Sequence, residues 1–409
     1  MNGLNSFSLR SLNEGYNSFS LRSLNEGYNL SDASDIKLGG STINALYYGS
    51  TLIWPRDYAK EYLTIEANSY GETITIRFTK NNTNISRSIQ YSKDKINWAT
   101  ISFNTSDNPT QIELNPSEKI YLKGTNSSYS EASDSGLNIC RIIVDGNAGA
   151  KIYGNIMSLI YGDNFYGQTV LTSEYTFTYL FSKPLSANYF PSNITDASNL
   201  ILPATTLTKR CYDSMFSHCS ALYGAPKILP ATTLAYKCYS CMFESCAGLI
   251  TPPELPATTL AYECYYKMFA GCTNMRTTPE LPATTLTFGC YREMFSACEW
   301  INAAPELPAT TLTEYCYYGM FEYCYKITTA PELPATNLEN QCYFRMFYEC
   351  SKLNYIKCLA INNIGDWYRG TEDWTYKVAS TGTFIKSASA TDWKTGTSGI
   401  PSGWTVQDA

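Results

Sequence analysis

Between residues 73 and 78 apolar and polar positions alternate, Ile74, Ile76 and Phe78 against Thr73, Thr75 and Arg77. That is the period-two signature of a strand with one buried face. Short apolar runs follow at 88–92, 98–103, 111–114, 119–123 and 139–144, parted by turn-rich segments such as Lys80-Asn81-Asn82. Several short strands at this spacing predict an immunoglobulin-like β-sandwich over residues 61–160.

From about residue 161 the period lengthens. Leu-Pro-Ala-Thr-Thr-Leu starts at Leu202, Leu229, Leu255, Leu281 and Leu307 and returns as Leu-Pro-Ala-Thr-Asn-Leu at Leu333, a step of 26 residues after a first one of 27. Each block runs into Cys-Tyr-x-x-Met-Phe-x-x-Cys; Cys241 is an extra cysteine in the second. Such regularity marks stacked repeats, because one copy cannot bury its own apolar face. In the third copy Leu260, Cys264, Met268 and Cys272 step by four, which predicts a short helix. Leu222, Leu249, Met275, Ile301, Ile327 and Leu353 share one column. They predict a short strand with one inward residue, stopped by the proline that follows in most copies. Residues 173–185 read as a degraded first copy. The closing segment holds Trp367, Trp374, Trp393 and Trp404, expected to cover the open end of the stack rather than bind sugars. The expected fold class is α+β multidomain: an N-terminal anchoring segment (1–60), the sandwich, a leucine-rich-repeat-like solenoid of 26-residue repeats (161–360) and a C-terminal cap (361–409).

The N-terminus carries two identical 12-mers, residues 5–16 and 17–28. They read as a tolerated duplication or as a pair of docking segments for a symmetric assembly. Residues 43–55 place two apolar runs around Gly49-Ser50 and predict a hairpin.

Composition then removes several functions. Net charge is −6 with no basic stripe, which excludes a nucleic-acid binder. No apolar run approaches the roughly 20 residues that span a bilayer, so no membrane insertion is expected. No basic-then-apolar leader opens the chain, so no signal peptide is expected, and the 15 cysteines are expected to be reduced. Paired cysteines lie eight apart, about 12 Å on a helix, too far for a disulfide. A linear ladder of them offers zinc no tetrahedron. The one histidine, His218, occupies a slot that varies between copies, and no phosphate loop or nucleophile elbow is present. Glu254, Glu280, Glu306 and Glu332 recur at one position and read as a solvated edge, with a calcium column as the sharper alternative. No catalytic residue, metal or cofactor is expected.

A binding face is the better candidate. Residues flanking the inward Leu/Met/Ile column point outward and vary while the core repeats. Of these, Tyr223, Asn274, Arg276, Trp300, Asn302 and Lys326 are the candidate ligand-binding residues, a mix suited to a glycan or protein surface. The plainer reading is drift at unconstrained positions. A second variable set, Tyr266, Lys267, Arg292, Glu293, Phe344 and Arg345, lies on the expected helix.

Leu-Pro-Ala-Thr-Thr-Leu, then Cys-Tyr-x-x-Met-Phe-x-x-Cys, then Thr-Asn-Met resembles the BspA-type leucine-rich repeat over roughly 165–360. The tail at 398–409 resembles the close of similar repeat proteins from gut Bacteroidetes and their phages. Residues 36–55 resemble the start of appendage proteins in crAss-like gut bacteriophages. The resemblance implies a non-enzymatic virion structural protein, a head or tail fibre or appendage, assembled in the bacterial cytoplasm. It implies a homo-oligomer, with a trimer favoured, and an anchor to other virion proteins through Phe7, Leu9, Phe19, Leu21, Ile43, Leu46 and Trp54. It leaves the repeats to meet a host surface glycan or protein. The rivals are a bacterial surface adhesin and a glycan-active enzyme that uses the repeats as a binding module.

Overall fold

The computed structural model describes residues 57–134, 136–183, 192–364 and 370–409, together with the backbone of five short N-terminal strands. The chain forms two compact units, residues 1–61 and 62–409. In the first, β1 (Phe7–Leu9), β2 (Ile36–Leu38) and β3 (Ser41–Ile43) form one sheet, β1 parallel and β3 antiparallel to β2. The hairpin expected around Gly49-Ser50 is β4 (Leu46–Tyr48) against β5 (Thr51–Trp54), with Tyr48 opposite Thr51. The anchor candidates Phe7, Leu9, Ile43, Leu46 and Trp54 thus lie on strands, while Phe19, Leu21 and most of the duplicated segment lie outside the described residues. So does Trp367.

In the second unit the strands are β6 (Leu63–Ala67), β7 (Ile74–Lys80), β8 (Ser88–Ser92), β9 (Ala99–Ser102), β10 (Asn104–Thr105), β11 (Thr110–Leu114), β12 (Lys119–Lys123), β13 (Ser130–Ser133), β14 (Gly136–Asp145) and β15 (Ala150–Asn155). The alternating run behaves as expected: Ile74, Ile76 and Phe78 are fully buried. One sheet has the order β10-β7-β14-β13, with β11 also on β7. The other runs β16-β15-β6-β12-β8-β9, and its outer strand β16 (Ile194–Ile201) comes from the repeat region and pairs parallel with β15. An immunoglobulin-like sandwich closed on itself is therefore not what forms. The sheet continues into the repeats, through bridges from Asp196 to Gly224 and from Gly224 to Thr251, and one hydrophobic core runs from Leu63 to Trp404.

The α+β class is corrected outright. Among the described residues the one α-helix is Ser158–Tyr161, prolonged by a 3-10 turn over Gly162–Asn164; a single 3-10 turn at Tyr58–Lys60 is the other helical piece. No strand or helix lies between residues 202 and 354, so the expected solenoid of strand-plus-helix copies is absent. The Cys-Tyr-x-x-Met-Phe-x-x-Cys block is instead a row of consecutive turns. In the third copy Cys264, Tyr266, Met268, Ala270 and Cys272 each donate a backbone N–H to the carbonyl three residues back. The alternate residues, Glu263, Tyr265, Lys267, Phe269 and Gly271, donate theirs to the next copy, at Phe288, Cys290, Arg292, Met294 and Ser296. An α-helix would keep every one of these N–H groups for itself, four residues back. A neighbouring copy offering a matching row of carbonyls makes sharing them equally complete.

The step of four comes from these turns and not from helix drift. Every fourth residue turns a corner at positive φ: Glu263 at 47°, Lys267 at 51° and Gly271 at 74°. Between corners, residues alternate as pairs. Cys264-Tyr265 and Met268-Phe269 point in and are buried, while Tyr266 and Lys267 lie nearer the surface. Gly271 accommodates its φ at no steric cost; the other two corners hold ordinary side chains in the left-handed region.

Stacking is most regular in the rings. Phe177, Tyr212, Tyr239, Tyr265, Tyr291, Tyr317 and Tyr343 form one column, with centroids 5.6–6.1 Å apart. Phe181, Phe216, Phe243, Phe269, Phe295, Phe321 and Phe347 form a second at 5.4–5.8 Å. The first column continues back into the sandwich through Tyr129, Phe103 and Phe78. Both meet Trp374, fully buried and 6.2 Å from Tyr343 and from Phe347, with Trp393 stacked beyond it at 5.6 Å. Beside it β17 (Tyr355–Cys358), β18 (Thr383–Lys386) and β19 (Thr405–Asp408) close the chain as a parallel sheet.

The cysteine column has its own purpose. Cys219, Cys246, Cys272, Cys298, Cys324 and Cys350 each donate Sγ–H to the carbonyl of the phenylalanine one copy earlier, at 3.0–3.2 Å. Burial pushes the Cys219 and Cys350 thiols up to about 12 and those between them well above the ordinary thiol value. They stay protonated, as a donor must, and are poor nucleophiles.

Candidate binding face

The copies present two outer surfaces. The first covers the outside of the turn rows and includes the second variable set. Its cations are spent on neighbouring acids. Lys237 reaches Glu263 at 2.7 Å and Lys267 reaches Glu293 at 3.1 Å, each one copy on, and Lys377 reaches back to Glu349 at 2.8 Å. Arg292 lies between Glu263 and Glu293 and 4.7 Å over the Tyr318 ring. Arg345 pairs with Glu322, Arg210 with Asp213, and Lys209 with Glu174. Asp213 is the most deeply placed of these acids, and burial pushes its carboxyl up to about 6 despite Ser214 and Arg210 beside it. His218 sits at an outward corner of the same surface, at φ 64°.

The second surface flanks the inward column. Leu222, Leu249, Met275, Ile301, Ile327 and Leu353 are fully buried, although single turn bonds replace the strand expected there: Leu222, Leu249 and Met275 each donate to the cysteine three residues back. Their flanks are held outward. Tyr223 is 47 % exposed, Ile250 47 % and Trp300 49 %; Asn274, Arg276 and Asn302 are exposed. Lys326 lies half-buried with its Nζ 4.6 Å over the Trp300 ring. The candidates therefore fall in two adjacent columns, Asn274, Trp300 and Lys326 in one and Tyr223, Arg276 and Asn302 in the other. Ile250 and Lys352 share those columns but stand outside the six named residues.

Below this face runs a cleft of about 420 Å³, lined by Thr251, Pro252, Pro253, Glu254, Thr277 and Glu280 among others. It opens between residues 251–256 and 277–282, one copy apart, which no backbone hydrogen bond or bridge joins. Outside the turn row, the third and fourth copies and the fourth and fifth meet only at the isolated bridges Thr259–Thr285 and Thr285–Thr311. In the cleft, Pro252 and Thr278 stand in the place that buried Ala225 and Ala330 fill in other copies. The glutamate column is exposed, and only Glu332 in it has an ion-pair partner among the described residues, Lys357 at 2.9 Å.

No family model, curated protein or solved structure matches this chain. Among the described residues no group of three or more His, Cys, Asp or Glu is arranged to hold a metal, and no helix is long and apolar enough to cross a membrane.

Proposed function

We propose that this chain is a non-enzymatic structural component of a bacteriophage particle, a fibre or appendage that presents its repeat surface to the host. The reading rests on the resemblance of residues 36–55 and of the repeats. The observation that carries it is the contrast between surfaces. A stack whose core is buried and whose turn-row cations are all paired with neighbouring acids holds Tyr223, Ile250 and Trp300 half-exposed on one flank, at fixed height and spacing. That is a display surface, built with little conformational freedom to lose on binding. In this reading residues 1–60 join other virion proteins, and the chain assembles as a trimer in the bacterial cytoplasm before incorporation.

The test is composition of the particle. Purified particles are sedimented and analysed by mass spectrometry for the full chain and for a version lacking residues 1–60. The full chain is expected in the particle and the truncated one not. Recovery from cell envelopes instead of particles would replace this reading with a surface adhesin.

A further inference from the structure

We infer that the face bearing Arg276, Trp300 and Lys326 takes an acidic polysaccharide, a chain bearing carboxylates at intervals; this rests on the reading of the face as a receptor surface. The argument begins with charge. On the turn-row surface Lys209, Arg210, Lys237, Lys267, Arg292, Arg345 and Lys377 all have an acidic partner within 4.0 Å. On the flank face Arg276, Lys326 and Lys352 have none among the described residues. The two columns, residues 221, 248, 274, 300, 326 and 352 and residues 223, 250, 276, 302, 328 and 354, contain no acid at all. A chain of net charge −6 that pairs the cations of its turn rows leaves these three open on two adjacent columns of one face.

The spacing adds a second constraint. Copies succeed one another at 5.4–6.1 Å on the ring columns. Arg276, Lys326 and Lys352 belong to the third, fifth and sixth copies, so their charges are one and two steps apart. A saccharide unit in an extended polymer has a comparable length. Arg276 supplies a fork for a carboxylate. Exposed Asn274, Asn302 and Asn354 offer amide donors and acceptors for hydroxyls. Trp300, steadied by the Lys326 ammonium, gives the face a rigid aromatic edge. Three cations and a surface rich in amides suit a sparsely charged sugar chain better than a duplex with a phosphate every few ångströms. Glu299 and Glu349, the acids nearest in sequence, lie outside both columns, and Asp196 stands beside Tyr223, two copies before Arg276.

The experiment measures binding of the full chain to polygalacturonate, hyaluronate and polysialic acid, with fully methyl-esterified polygalacturonate as the neutral control of the same backbone. At least one acidic polymer is expected to bind, more weakly as salt rises from 50 to 200 mM. For polygalacturonate, esterification should cost at least tenfold. The triple variant R276Q/K326Q/K352Q should lose at least tenfold at unchanged melting temperature, and Lys151→Gln on the sandwich nothing. Binding to none of the acids, equal binding of the ester, an unaffected triple variant, or equal affinity for duplex DNA each overturns the inference. Particle adsorption to host cells separates this from the broader reading. If the triple variant adsorbs normally while Y223A/W300A does not, the face is the receptor surface and the acidic ligand is wrong. If neither variant affects adsorption, the face itself is wrong.

Discussion

The same 26-residue copy builds two outer surfaces that obey opposite rules. On the turn rows variation is compensated: where one copy places a lysine, the next places a glutamate beneath it, as in Lys237 over Glu263 and Lys267 over Glu293. On the flank of the inward column variation goes uncompensated: Trp300 follows Asn274, and Arg276 follows Ile250. Sequence diversity alone would make the two surfaces look alike. A position that varies with its neighbour is part of the scaffold, and a position that varies on its own is free to answer to something outside.

The contrast breaks most visibly on aromatic residues. Phe269→Ala removes a fully buried ring with neighbours above and below and should cost about 3–5 kcal/mol, read from denaturant melts. Trp300→Ala, the larger side chain but half-exposed, should stay within roughly 0.5 kcal/mol; a large loss there would make Trp300 scaffold. Next comes Asp213. Its folded carboxyl lies near 6 against about 3.9 when unfolded, so the fold binds more protons across that window. Stability should fall as pH rises from about 4 to 6, by an amount of order 2 kcal/mol. Asp213→Asn should abolish that slope and raise the melting temperature at pH 7 but not at pH 4. Glu263→Gln, which weakens the links to Lys237 and Arg292 in a nearly buried setting, should cost about 1–3 kcal/mol. Cys298→Ala deletes a thiol donor to the Phe269 carbonyl and some buried volume; about 1 kcal/mol is expected. Arg276→Gln should leave the melting curve where it is.

Much of the core was legible in the sequence, because burial repeats whatever the backbone does. The columns of Leu222, Cys264, Met268 and Phe269 are as inward as their spacing implies. The backbone was not legible. A step of four lies close enough to 3.6 to pass for a helix, and the deciding feature, half the N–H groups leaving for the next copy, depends on a partner 25 residues away. A propensity argument sees only near neighbours. The corners at Glu263, Lys267 and Arg345 also carry no glycine to announce their positive φ. Of the candidate face, the outward residues could be read from their place beside the inward column. The absence of acidic partners could not, since pairing on the other surface joins residues 26 apart, such as Lys237 and Glu263.

The alternation of N–H groups has a mechanical side. The bonds between copies run along the axis of the stack, and a pull along that axis loads every junction in series. Such a chain is as strong as its weakest junction, and added copies lengthen it without toughening it. The third-to-fourth and fourth-to-fifth junctions, held outside the turn row only at Thr259–Thr285 and Thr285–Thr311, are where extension would begin. Rupture there would spread copy by copy toward either end, giving way in small steps instead of one.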